Sequence, residues 1–131
     1  MRVTIFIRNI EGGVATYVRN FLRYRPKDKK IFYRLVIVSD DLDKDSKVCI
    51  GRDFEADEIL GFEFSKYENR YGVLKRLKAF IGRDTDLVVA NERMEISMLN
   101  LFRLPVRVVQ IVHGDSNYYY QTVNDYCGFV S

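Results

Sequence analysis

Two kinds of apolar spacing alternate along the chain. The first is a run that is apolar nearly throughout. "RVTIFI" (Arg2–Ile7), "FYRLVIV" (Phe32–Val38), "DLVVANE" (residues 86–92) and "VRVVQIV" (residues 106–112) are of this kind. They are rich in β-branched residues and read as strands buried on both faces. In the second, apolar residues recur every three or four positions, as on one face of a helix. Val14, Val18, Phe21 and Leu22 predict a helix from Gly13 to Tyr24, which Arg25-Pro26 ends because a residue before proline resists the helical region. Tyr71, Leu74, Leu77, Lys78 and Ile81 predict a second helix, from Asn69 to Phe80, with Gly82 at the place of a C-cap. Ile96, Leu99 and Phe102 predict a third, from Arg93 to Phe102, followed by a turn at Pro105.

Residues 48–64 fit neither spacing cleanly. "VCIG" and "ILGFEF" read as short strands, the second with a bend at Gly61. Beyond His113, residues Asn117–Asp125 give a weak helical pattern, and "GFVS" opens one more strand. Strands that alternate with helices, and are apolar on both faces, imply an α/β fold: a Rossmann-like parallel sheet with helices on both faces and right-handed connections. No repeat, low-complexity segment or linker divides residues 1–131, so they are read as a single domain. The last strand has no following element to cover it. The expectation is therefore a domain cut from a longer polypeptide.

Composition narrows the field a little. The chain has 131 residues, 47% hydrophobic and 30% charged, as in ordinary globular proteins. No apolar run reaches the roughly 18 residues of a membrane span, and Arg8 closes the first apolar stretch too early for a signal peptide. Cys49 and Cys127 fit no metal spacing and read as free thiols in a reducing cytoplasm. A net charge of +3 does not by itself call for a nucleic-acid partner. Asp40, Asp41, Asp43 and Asp45 lack the spacing and central glycine of a calcium loop and read as a solvated loop. Arg19, Arg23, Arg25, Lys27, Lys29, Lys30 and Arg34 are opposed only by Asp28. Solvated surface is the default reading of such a run, and peripheral contact with an anionic membrane is the sharper one.

Ligands of open α/β sheets bind beyond the carboxyl ends of the strands. Three segments with unusual chemistry fall there. Gly12-Gly13 joins the first strand to the first helix. It either makes a tight turn or lets an anion approach the unpaired amides and positive dipole of the helix start. The third glycine of a dinucleotide fingerprint and the lysine of a P-loop are both missing. Asn91-Glu92 either binds hydroxyl groups or caps the next helix. His113, the only histidine, leaves a strand beside Gly114 and Asp115. It is either a structural imidazole or a group that donates, accepts or changes charge near neutral pH. No serine or cysteine stands at triad spacing with it, and one histidine alone cannot build a metal site. Tyr118-Tyr119-Tyr120 packs beside that loop or stacks on a sugar ring.

The stretches "EGGVATYVRNF", "DLVVANE" and "VVQIVHGDSNYYY", in that order before "YCGFVS", resemble the N-terminal domain of a GT-B glycosyltransferase of the GT4 kind. The resemblance implies a retaining enzyme that moves a sugar from a nucleotide-sugar donor to a glycan or lipid-linked acceptor. The acceptor-side half would be present here, and the half with most donor contacts would lie beyond Ser131. It implies that Gly12 and Gly13 approach the donor diphosphate, and that His113 lies against the donor sugar as a catalytic, positioning and charge-stabilising group. Asn91, Glu92 and Asp115 would contact the acceptor. No metal or other cofactor is implied. The family's "GGxxR" wording is replaced by Ala15-Thr16-Tyr17 after the glycines. The expected setting is cytoplasmic, at the inner face of a membrane in polysaccharide or lipid-linked glycan synthesis, with Arg19, Arg23, Lys27, Lys29 and Lys30 toward the lipid. The isolated chain would be inactive. The alternative is a non-catalytic α/β ligand-binding or regulatory module. A receiver-like version of it would need acidic residues at the end of the first strand, where Arg8-Asn9 stands.

Overall fold

A computed structural model describes residues 1–8, 10, 12–28, 30–39, 53–63 and 70–113. Eight elements follow in the order β1 (Arg2–Ile7), α1 (Gly12–Tyr24), β2 (Phe32–Ser39), β3 (Glu58–Glu63), α2 (Arg70–Gly82), β4 (Leu87–Ala90), α3 (Arg93–Phe102) and β5 (Arg107–Gln110). The five strands form one parallel sheet in the order β3-β2-β1-β4-β5. The chain therefore has an α/β, Rossmann-like fold with helices on both faces of the sheet. Asp115, the three tyrosines 118–120, the acidic loop 40–45, "VCIG", both cysteines, the weak helix 117–125 and the last strand lie outside the described residues.

Each face has its own core. On one face, Val3, Ile5 and Ile7 of β1 and Leu35 and Ile37 of β2 pack against Ala15, Val18 and Leu22 of α1 and against Phe54. On the other, Phe6, Val36, Val38 and Val88 pack against Val73, Leu77 and Ile81 of α2 and Ile96, Leu99 and Phe102 of α3. Strand order explains the division. From β1 the chain steps one way to β2 and β3, then returns past β1 to β4 and β5. Right-handed crossovers in opposite directions put their helices on opposite faces. The central strands are thus covered on both sides, and all but the first residue of β1 is buried. The edge strand β5 alternates exposed and half-buried positions instead.

Helical phase differs from the sequence reading. In α1 the buried positions are Ala15, Val18 and Leu22, and Phe21 is 40% exposed with its ring edge-on to Tyr33. In α2, Val73 replaces Tyr71, which is 74% exposed. Small Ala15 and compact Val73 are buried in the two cores, and the larger rings of Phe21 and Tyr71 are exposed. Gly82 is the last helical residue and not a left-handed cap; Asp84 takes the positive φ, 54°. A Cβ on Gly82 would lie 3.0 Å from Leu104 Cδ2, so the glycine makes room for packing. Gly61 makes no bend, because β3 runs unbroken in register with β2 through Gly61↔Ile37.

One residue of the basic stretch is not surface at all. Arg34 of β2 is fully buried at the amino end of the sheet. Its Nε donates to Glu58 at 3.1 Å, Nη1 to the Arg83 carbonyl at 2.7 Å and to Thr85 Oγ1 at 3.1 Å, and Nη2 to the Phe80 carbonyl at 2.8 Å. The guanidinium also stacks 3.9 Å from the Phe80 ring centre. It meets carbonyls at the end of α2, where a cation complements the helix dipole, and so ties α2 to the sheet.

Candidate functional site

Strand order reverses between β1 and β4. In such sheets the chains leaving the two strands diverge to opposite faces and open a crevice at the carboxyl end. Gly12-Gly13 follows β1, Asn91-Glu92 follows β4, and His113 follows β5. The sheet thus brings residues about 20 to 100 positions apart to one rim, as parallel strands require.

Gly12 opens α1 with a φ of +89°, which side-chain-bearing residues rarely adopt. The tight-turn reading therefore holds for Gly12. Gly13 is different. Its φ is not positive, and among the described residues nothing lies within 4 Å of where a Cβ would stand. No contact among the described residues requires a glycine at 13. Both glycines are exposed, and the first turn of α1 carries no acidic side chain to offset its dipole. Arg19 donates to the Ile10 carbonyl and lies over the Phe54 ring, which anchors the approach to the helix.

Asn91 is fully buried at the end of β4. Its Nδ2 donates to the Phe6 carbonyl of β1 at 3.0 Å, and its Oδ1 lies 2.8 Å from His113 Nε2. The side chain extends the β1–β4 ladder by one more bond and links it to the exit of β5. It is not the cap of α3. Glu92 holds that position, with an extended backbone and no side-chain capping bond. His113 is half-buried, and its ring stands edge-on to Tyr17 of α1, with centres 5.0 Å apart. Tyr17 is four or five residues past the diglycine, or about 6–8 Å along the helix. Burial lowers the pKa of His113, and Glu92 pulls it weakly the other way, so the ring is neutral at pH 7.

Behind this rim lies Glu95 of α3, fully buried, and among the described residues neither carboxylate oxygen meets a well-formed hydrogen bond, although the backbone amides of Glu95 and Glu92 lie near it. Burial pushes its pKa up to about 8. The backbone amides of Glu95 and Glu92 and the charge of Arg8 oppose that shift, and Glu92 adds to it. The group is therefore protonated at pH 7. An apolar cavity of about 260 Å³ runs along the sheet beside α1, from Met1 and Val3 at the amino end to Asn91 and Ile111 at the rim, with Tyr17 and Phe21 among its walls.

Tyr17 and Glu95 did not stand out in the sequence, although a signal existed for each. Tyr17 is three residues from Val14 and four from Phe21, and Glu95 lies on the stripe of Leu99 and Phe102. The basic stretch is largely engaged on the surface: Arg23 and Lys27 pair with Glu55, and Arg25 with Asp57. Among the described residues no three His, Cys, Asp or Glu side chains gather as a metal would need, and no helix is long and apolar enough to cross a membrane.

No protein-family model and no curated protein matches the chain. Its fold is similar to the crystal structure of a Listeria monocytogenes protein assigned as a UDP-N-acetylglucosamine 2-epimerase, with a TM-score of 0.51 and 13% identity. The match covers 98% of this chain and 35% of that one, so this chain spans about a third of the length of its structural neighbour. At this identity the likeness is one of fold.

Proposed function

We propose that this chain is the amino-terminal domain of a two-domain, GT-B-like enzyme acting on a nucleotide sugar, and that it transfers the sugar to a glycan or lipid-linked acceptor. One observation carries the reading. At the strand-order reversal, a helix start with a glycine that no contact among the described residues requires stands one turn from Tyr17, which touches a half-buried, internally anchored imidazole. The amides at Gly12-Gly13 suit a diphosphate, whose developing charge they would stabilise as it leaves. The imidazole suits the sugar beside it. Glu92, half-buried on the same rim, is placed on the acceptor side, with Asp115 beyond the described residues. The remaining donor contacts belong to a second domain.

The fold likeness favours a second reading within the same substrate class, epimerisation of a nucleotide sugar. An epimerase converts UDP-N-acetylglucosamine alone, whereas a transferase consumes it only with an acceptor, so product analysis of the two-domain protein separates the two. For the present chain the test is a titration with UDP-N-acetylglucosamine, followed by NMR at the Gly12 and Gly13 amides and the His113 ring. Millimolar binding, about −4 kcal/mol, with shifts at all three is expected. Micromolar binding would contradict the assignment of most donor contacts to a missing domain. Silence at all three positions would favour a non-catalytic module.

A further inference from the structure

We propose that Asn91 is a positioning residue that fixes the neutral ring of His113 as its Nε2–H tautomer, so that the Nδ1 lone pair is the atom offered to a ligand. The chemistry of the three groups forces the assignment. The Phe6 carbonyl can only accept, so the Asn91 edge 3.0 Å from it must be the NH₂ edge. Turning the amide over would bring two acceptors face to face. With Nδ2 committed to Phe6, the edge 2.8 Å from His113 Nε2 is the Asn91 carbonyl oxygen, which also only accepts. Nε2 must then carry the proton, and in a neutral imidazole Nδ1 has none.

The geometry leaves little freedom to escape this. Asn91 is fully buried. Its backbone is held from both sides, since Ala90 pairs with Phe6 across β1–β4 and the Ala90 carbonyl accepts from the Ile111 amide at 2.9 Å. Tyr17 stands edge-on to the imidazole. No second hydrogen-bond partner for the ring occurs among the described residues. The desolvation that lowers the pKa of His113 keeps it neutral at pH 7.

The consequence deepens the reading proposed above and, as far as the ligand is concerned, rests on it. A bare Nδ1 accepts a proton or a hydrogen bond and cannot donate one. It therefore fits a hydroxyl group and not a phosphate or carboxylate oxygen. Anion recognition would fall to the diglycine helix start, and hydroxyl recognition to His113.

Because His113 is the only histidine, a chain labelled with ¹⁵N-histidine gives one pair of ring-nitrogen signals that need no assignment. Above the ring's pKa, long-range proton–nitrogen correlations report the tautomer directly. The wild-type chain should show the Nε2–H form alone. Asn91→Ala should show a mixture of both forms, and Asn91→Asp, whose second oxygen must keep a proton to meet the Phe6 carbonyl, still turns an acceptor toward Nε2 and should restore the single form. An Nδ1–H ring or a mixed ring in the wild type overturns the proposal even if neither variant folds. So does an unchanged tautomer population in a folded Asn91→Ala. A locked ring that ignores added UDP-N-acetylglucosamine would uphold the role of Asn91 while removing the nucleotide-sugar reading.

Discussion

Glu95 offers the largest electrostatic effect that can be worked from the structure. An ordinary glutamate titrates near 4.5, and burial raises this one to about 8. The sign follows from linkage. Below pH 4.5 the carboxyl is protonated in both folded and unfolded chains and costs nothing extra. As pH rises from there, the unfolded chain releases the proton and the folded one holds it, so stability falls until the folded group ionises near pH 8. At 1.36 kcal/mol per pH unit, the loss reaches about 3 kcal/mol at pH 7 and about 5 kcal/mol above pH 8. Domains of this size are stable by about 5–15 kcal/mol, so the effect is large. Glu95→Gln copies the protonated shape and cannot ionise. Urea unfolding of both proteins at half-unit steps from pH 4 to 9 isolates the group, because titrations not coupled to Glu95 cancel in the difference. The wild type should lose about 1.4 kcal/mol per pH unit relative to the variant between pH 5 and 8, then level off. A flat difference would mean that Glu95 ionises normally in the fold. A difference that grows in favour of the wild type would mean that the attraction of Arg8 outweighs desolvation.

Four other tests address separate parts of the structure. Arg34→Ala strips the partners of Glu58 and of the Phe80 and Arg83 carbonyls, and should cost about 3–5 kcal/mol in urea unfolding; a loss under 1 kcal/mol would show that the buried guanidinium does not tie α2 to the sheet. Gly12→Ala should cost about 1–2 kcal/mol because its φ is positive, whereas Gly13→Ala should gain about 0.5–1 kcal/mol yet weaken UDP-N-acetylglucosamine binding. Equal binding by Gly13→Ala and wild type would remove the close-approach role of that glycine. The single histidine should titrate below 6.5 by NMR, and stability tied to its neutral form should be lost as pH falls from the unfolded value toward the folded one; a titration above 6.5 would contradict the burial that depresses it.

Much of the architecture is a local property and was legible as such. The mostly apolar runs marked β1, β2, β4 and β5; β1, buried in all but its first residue, shows a strand covered on both faces, whereas the edge strand β5 alternates exposed and half-buried positions. The spacing of Ile96, Leu99 and Phe102 fixed the buried face of α3 for the same kind of reason. Periodicity could not choose between Tyr71 and Val73, or between Phe21 and Ala15. That choice depends on how close the helix lies to the sheet.

The rim was legible only as a set of candidates. Asn91 had two sequence readings, hydroxyl contact and helix cap. The structure gives its amide to Phe6, 85 residues away, and to His113, 22 residues on. Arg34 looked like one more surface cation until Glu58 and the end of α2 enclosed it. Glu95 looked like a helix residue of no note until α3 docked with that side inward. For β1, β2, β4, β5 and the three described helices, and for the class of sheet, spacing along a few neighbouring residues was enough. Which polar groups meet, which are stripped of water and which face the crevice was decided by tertiary structure, because hydrogen-bond partners and burial are set by residues distant in the chain and near only in the fold.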